Sequence, residues 1–196
     1  MPKLKADPAL SPDDILAAEY DYIANTVFKA NEDRSRVASF YFVSVGSIVA
    51  AILGTQFAAD KLKSVSLAFA ILFLFLTILG SLTLAQLARL RAAWHESVQA
   101  MNQLKDFYIK AHPEIKSAFK WRGTTIPPTD KPFSIANLIA VEVTLLGAIT
   151  TAVAVYFILF TFGDIMLWGW GLILVFFVIG IILQWRWYKR LLVDDR

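Results

Sequence analysis

Glu142 is the one ionisable residue well inside an apolar stretch that is long enough to cross a bilayer. A carboxyl group at such a position indicates a proton or cation site, since charges in hydrocarbon are costly and commonly functional. The second interpretation is an ion pair with Arg186, because Asp164 lies 22 residues from each of the two. A tight turn about Asp164 would place both at the inner membrane boundary. The spacing favours the structural ion pair, with transport as the alternative.

The remaining reactive side chains give little support for catalysis. The chain has 2 histidines and no cysteine, and His95 and His112 lie too far apart for a helical metal-binding pair. We find no glycine-rich phosphate loop, nucleophile elbow or carboxylate cluster. The formal net charge is only +3, and no basic stripe of the kind that binds nucleic acid is present. The sequence therefore predicts no enzyme, no metal, no cofactor and no nucleic-acid partner.

Composition indicates that the solvent of this chain is the lipid bilayer. Of its 196 residues, 57% are hydrophobic, and the mean hydropathy is +0.56. A soluble domain of this size could not bury so much apolar surface. About 20 apolar residues span the hydrocarbon core as a helix, and four stretches qualify. They are residues 40–59, 65–85, 135–160 and 165–187. We expect an all-α integral membrane protein with four transmembrane helices.

The distribution of lysine and arginine predicts the orientation. Of the 19 basic residues, 17 lie in the N-terminal segment, in the loop between the second and third stretches, and in the C-terminal tail. The two short connections on the other side hold only Lys61 and Lys63. Basic residues accumulate on the cytoplasmic side. We therefore expect both termini and the central loop in the cytoplasm, in the inner membrane.

A long helical hairpin over residues 11–113, turning at residues 60–64, is the main predicted element. Its first arm has an apolar heptad seam that is interrupted once, at Arg34. Residues of the two arms whose numbers sum to 124 match as apolar pairs: Leu16 with Tyr108, Tyr20 with Leu104, Ile23 with Met101, Ala30 with Trp94, and Val37 with Leu87. This predicts a cytoplasmic antiparallel coiled-coil arm that extends the first two spans. Charged residues where the arms leave the membrane predict a partly paired collar: Glu32, Asp33, Arg89 and Arg91.

The rest of the chain divides into short segments around a second hairpin. Residues 1–10 are predicted to be a flexible N-terminus, and residues 114–134 an interfacial amphipathic segment with a proline-rich connector. Ser134 is the predicted N-cap of the third span. The second hairpin covers residues 135–190, and residues 191–196 form a cytoplasmic tail.

Two helix faces of small residues predict close helix packing within the membrane. The first span has such a face at Gly46, Ala50 and Gly54. The third span has a longer one, at Ala136, Ala140, Thr144, Ala148 and Ala152. Aromatic belts at the lipid interface are predicted at Trp121, Trp168, Trp170, Trp185 and Trp187.

The segments KDFYI (105–109), PEI (113–115), AFKWR (118–122) and TIP (125–127) resemble a bacterial family of small four-span membrane proteins of uncharacterised activity. The resemblance covers residues 95–140 and implies a shared loop architecture with no transferable functional residues. In topology alone, the chain is also similar to the SLATT membrane effectors of bacterial defence systems.

These observations predict a non-enzymatic membrane subunit or effector. It would self-associate as a homo-oligomer or within a membrane complex, and would engage a partner through the cytoplasmic arm. The alternative is an ion-conducting channel or transporter oligomer that uses Glu142 in the third span.

Overall fold

Four long helices account for most of the chain. The computed structural model describes residues 12–55, 59–119 and 122–194. Helix α1 covers Pro12–Gly54, α2 Ala59–Ala111, α3 Ile135–Phe162 and α4 Leu167–Asp194. Two 3₁₀ helices, Pro113–Ala118 and Gly123–Thr125, lie between α2 and α3, and the described ranges contain no strand. All four long helices are long and apolar enough to cross a membrane, which confirms the all-α, four-span prediction.

The helix boundaries differ from the predicted ones at three places. The first turn was predicted at residues 60–64, but α2 already begins at Ala59, so this segment lies within its first turns. The third helix extends to Phe162, and the fourth runs from Leu167 to Asp194. Hydropathy marks the apolar part of a helix and not its hydrogen-bonded ends.

The structure confirms Ser134 as the N-cap of α3. Its side-chain oxygen accepts a hydrogen bond from the Asn137 backbone N–H at 3.3 Å. At the other end of the connector, α2 stops at Ala111, shortly before Pro113. Proline disfavours the helical conformation of the residue before it, which explains this boundary.

The chain divides into two compact units. The first unit comprises Met1–Asn31 and Ala93–Pro128, and the second comprises Glu32–Ala92 and Thr129–Arg196. In the first unit, Ile23 and Ala30 are buried on α1. The loop of this unit is held by Arg122, whose Nη2 donates a hydrogen bond to the Lys116 carbonyl at 2.6 Å. The predicted 1–10 terminus and Trp121 lie outside the described residues.

The second unit has a continuous apolar core to which all four helices contribute. Its buried side chains include Tyr41, Val45, Phe73, Leu76, Leu84, Val143, Phe157 and Tyr188. The ring of Phe157 packs on Phe69 and Phe73, with ring centroids 5.2 and 5.8 Å apart. Hydrogen bonds between hydroxyl groups also join α2 and α3, with O–O distances of 3.0 Å for Thr77 and Thr150 and 2.7 Å for Ser66 and Thr161.

Close approach of α3 and α4 depends on Gly180. A Cβ atom at this position would lie 3.2 Å from the Ala148 Cα and 3.4 Å from its Cβ. Backbone atoms of α3 cannot move aside as a side chain can. Glycine therefore permits the two helices to pack at this distance, as small residues do in membranes.

Candidate functional site

Two arginine side chains are buried in the second unit. Arg34 of α1 and Arg91 of α2 are each only 6% exposed, and Tyr188 of α4 is 2% exposed. Arginine is among the residue types that are least often fully buried without a partner. All three residues lie just beyond the predicted spans, which begin at residue 40 and end at residues 85 and 187.

The hydrogen bonds of the two arginines differ. Nε of Arg91 donates to the Thr129 carbonyl oxygen at 3.0 Å. Nε and Nη2 of Arg34 are buried and have no hydrogen-bond partner, and the same is true of the Thr129 hydroxyl. Nε and Nη2 form one edge of the guanidinium, so both unpartnered N–H groups point in the same direction. A buried charged donor left in this state costs more than about 1–3 kcal/mol.

Electrostatics places Arg34, Arg91 and Tyr188 in one neighbourhood. Burial lowers the pKa of Arg34, the positive charge of Arg91 lowers it further, and Tyr188 raises it. Burial also lowers the pKa of Arg91, and Tyr188 again has the opposite effect. Both guanidinium groups remain charged at neutral pH, because arginine is not deprotonated in proteins. The cluster therefore holds two like charges at close range.

The carboxylates of the predicted collar form ion pairs within α1 and not with the facing helix. Glu32 and Asp33 contact Arg36 of the same helix, with N–O distances of 2.8 and 3.7 Å. Among the described residues, no carboxylate lies within 4.0 Å of the Arg34 guanidinium. The collar prediction was therefore wrong about Glu32 and Asp33, because residues four and three apart on one helix reach each other more easily than the facing arm.

Glu142 and Arg186 do not meet within this chain. Both side chains are exposed, on α3 and α4 respectively. The ion pairs formed by the described residues do not include this pair. By contrast, the hydroxyl groups of Thr144 and Thr150 are buried and donate to backbone carbonyls of their own helix. Glu142 is thus an exposed carboxylate near the start of α3.

The two small-residue faces have different surroundings. On α3, four of the five predicted residues are buried, and the fifth is half-buried. They are Ala136, Ala140, Thr144, Ala148 and, half-buried, Ala152. On α1, Gly46, Ala50 and Gly54 are all exposed, and a Cβ atom added at either glycine would meet nothing within 4 Å. The α3 face is used within the chain, whereas the α1 face is open.

Four of the predicted interfacial tryptophans lie on α4. Trp168, Trp170 and Trp187 are each about half exposed, at 61%, 55% and 49%. Trp185 is half-buried, with its ring 5.6 Å from that of Tyr188 and the Lys189 ammonium 5.5 Å from its centroid. The 19 steps from Trp168 to Trp187 correspond to about 29 Å of helix, close to the hydrocarbon thickness.

An apolar pocket of about 340 Å³ lies in the first unit. Residues of α1 form one wall and residues of α2 the other, and the loop covers one side. The lining residues are Ala24, Val27, Phe28, Trp94, Val98, Met101, Lys105, Ile126 and Pro127. The part of the chain that the structure describes holds no group of three or more histidine or acidic side chains that could bind a metal ion.

Comparisons with protein-family models, with curated proteins and with solved structures give no match.

The sequence pattern indicated only part of the arginine cluster. The available signal was Arg34 at a position of the heptad seam. A seam position faces the partner helix, so a charged residue there is expected to be enclosed unless the helix is locally distorted. Nothing in the pattern singled out Tyr188 or Thr129. Their contribution arises from helix rotation and from the path of the connector, which no local pattern encodes.

Proposed function

We propose that this protein is a non-enzymatic membrane subunit or effector that self-associates in the bilayer and engages a partner protein through its cytoplasmic helical arm. The observation that carries the proposal is the open face at Gly46, Ala50 and Gly54 on α1. Within one chain, the equivalent face of α3 is covered by neighbouring helices. The α1 face is left for a second helix from outside the chain.

The α1 face has the properties that favour helix–helix packing in lipid. Helices in lipid gain no hydrophobic free energy from association, so close van der Waals packing drives it. Small residues at i, i+4 and i+8 permit such packing because they let two backbones approach. A homo-oligomer is the simplest occupant, since the same face is present on every copy.

Replacing Gly46 by leucine should disrupt self-association. Overpacking of a close contact costs about 1–3 kcal/mol, which corresponds to a rise of roughly tenfold to a hundredfold in the dissociation constant. We expect detergent-purified wild-type protein to have a mass of at least two 22.0 kDa chains, and Gly46→Leu to shift toward one chain. Gly171→Leu is the matched control, because Gly171 is also an exposed glycine in an apolar helix with nothing within 4 Å. A wild-type protein with the mass of one chain would contradict the proposal.

The first unit supplies a surface for the partner. Its apolar pocket is large enough for one or two side chains of a protein segment, and Lys105 is the charged residue in its lining. Amphipathic helices commonly bind such grooves through apolar anchors. We propose that the cytoplasmic partner presents an apolar side chain here.

The proposed orientation can be tested directly because the chain has no native cysteine. Ser64 and Gln103 are both exposed. With a membrane-impermeant maleimide, we expect Ser64→Cys to be labelled from outside intact cells and Gln103→Cys only after the membrane is opened. The cysteine-free protein gives the background. Labelling of Gln103→Cys from outside would overturn the orientation.

The channel or transporter alternative has weaker support. A conducting path needs several polar groups along one helix face, and the sequence offers only Thr144, Thr151 and Glu142. Thr144 is buried and Thr151 half-buried, and both hydroxyl groups donate to backbone carbonyls of α3. Only Glu142 of the predicted polar set is exposed on α3 without a partner in the described part of the chain. One carboxylate near a helix start does not form a path.

A further inference from the structure

We propose that Arg34, Arg91, Thr129 and Tyr188 form a binding site for a phosphate-type oxyanion. The four residues come from α1, α2, the connector and α4, and all belong to the second unit. The proposal is independent of self-association and of the partner-binding arm.

Arg34 carries buried donor groups that are not satisfied within the described part of the chain. Its side chain is 94% buried, being only 6% exposed, and its Nε and Nη2 lack hydrogen-bond partners. These two N–H groups form a flat fork that matches two oxygens of a phosphate or carboxylate. The described residues place no carboxylate within 4.0 Å of this buried charge, and we infer that the balancing charge comes from outside the chain.

Further donor groups accompany Arg34 in this cluster. Arg91 contributes a second buried positive charge and is held in place through its Nε contact with the Thr129 carbonyl. The Thr129 hydroxyl is buried without a partner, and Tyr188 lies within electrostatic range of both arginines. Two guanidinium groups with hydroxyl donors suit an oxyanion that carries more than two acceptor oxygens. This favours phosphate chemistry over a single carboxylate.

The cluster lies close to the predicted ends of the membrane spans. Arg34 lies six residues before the first predicted span, and Arg91 lies six residues after the second. This separation is about 9 Å along a helix. The polar headgroup layer on each side of the hydrocarbon is roughly 5–8 Å thick. Tyr188 lies one residue after the fourth predicted span, so the cluster extends from the edge of the hydrocarbon to just outside the headgroup layer. Lipid phosphates and phosphate dissolved in the aqueous phase are therefore the two candidate sources.

The test compares phosphate sources on delipidated full-length protein in a neutral detergent and phosphate-free buffer. Thermal unfolding is followed with added inorganic phosphate, with phosphatidylglycerol and with phosphatidylcholine at equal mole fraction. Native mass spectrometry counts bound lipids in parallel. A rise in Tm with inorganic phosphate identifies a free phosphate site, whereas a rise with phosphatidylglycerol alone identifies an anionic headgroup site.

Two glutamine variants separate the site from general surface charge. We expect Arg34→Gln to weaken binding of the effective phosphate source by about tenfold or more, because a hydrogen bond to a charged group is lost. Arg36→Gln is the matched control, since Arg36 is exposed two residues further along the same helix. Its binding should equal that of the wild type. An equal response of Arg34→Gln and wild type would overturn the proposal.

Two further variants keep the proposal testable if Arg34→Gln does not fold. Thr129→Val and Tyr188→Phe each remove one hydroxyl group without removing charge, and each should weaken phosphate binding several-fold. Arg34→Met tests the alternative hypothesis, in which the Arg34 charge is enclosed without a bound anion and only destabilises the protein. If wild type shows no Tm response to any phosphate source and Arg34→Met melts at a higher temperature, the cluster binds no oxyanion and the proposal is wrong.

Discussion

Replacing Leu84 by alanine is expected to lower the free energy of unfolding by about 2–5 kcal/mol, the largest single-residue effect predicted here. Leu84 is 0% exposed and belongs to the core shared by all four helices. Its truncation leaves a cavity whose walls lose their dispersion contacts, because helices tied to several neighbours collapse only partly. In a micelle the transfer of apolar surface contributes less than in water, so the cavity dominates and the lower half of the range is expected.

Leu82→Ala is the matched control for this measurement. Leu82 lies two residues earlier on α2 and is 56% exposed, so its truncation leaves no cavity inside the chain. Its side chain contacts lipid or detergent in both the folded and the unfolded state. Reversible unfolding in mixed micelles, followed by helical circular dichroism, gives the two free energies. Equal losses for the two variants would mean that the core is not packed as described.

The second large effect is expected for Gly180→Leu, which should destabilise the protein by roughly 1–3 kcal/mol. Even a Cβ atom at Gly180 would approach the Ala148 Cα to 3.2 Å, and the rest of the leucine side chain has to displace α3. Helix packing in lipid depends on such close contacts because no hydrophobic force compensates for their loss.

Gly171→Leu provides the comparison on the same helix. A Cβ atom there meets nothing within 4 Å, so only the small change in helix propensity is expected. Leucine is the better helix former, so Gly171→Leu should leave stability unchanged or raise it slightly. The thermal midpoint in detergent measures both variants. A Gly180→Leu protein as stable as Gly171→Leu would contradict close packing between α3 and α4.

Local patterns in the sequence determined the helices and some of their ends. Apolar stretches of about 20 residues predict membrane helices because hydropathy is a sum over neighbours in sequence. Within the described residues, each of the four stretches coincides largely with a helix that is long and apolar enough to cross a membrane. Ser134 was identified as an N-cap for the same reason, since a cap and its N–H partner are three residues apart.

Tertiary structure, and not the sequence pattern, decided which residues far apart in the chain contact each other. Equal spacing from Asp164 predicted that Glu142 meets Arg186, yet both side chains are exposed and form no ion pair with each other. The number of residues between a side chain and the hairpin turn sets only its position along the helix axis. The rotation of each helix about its axis decides which direction the side chain faces, and it is fixed by packing of the whole bundle.

The same reason explains the two features on which the proposals depend. Small-residue faces on α1 and α3 look alike in sequence, but only the α3 face is covered within the chain. Arg34 was visible as an interruption of a seam, whereas its burial beside Arg91 and Tyr188 required three helices and the connector to converge. The sequence by itself determined which segments are helices in lipid. Tertiary structure decided which of their faces remain open and which charges are enclosed, because burial depends on neighbours that are remote in the chain.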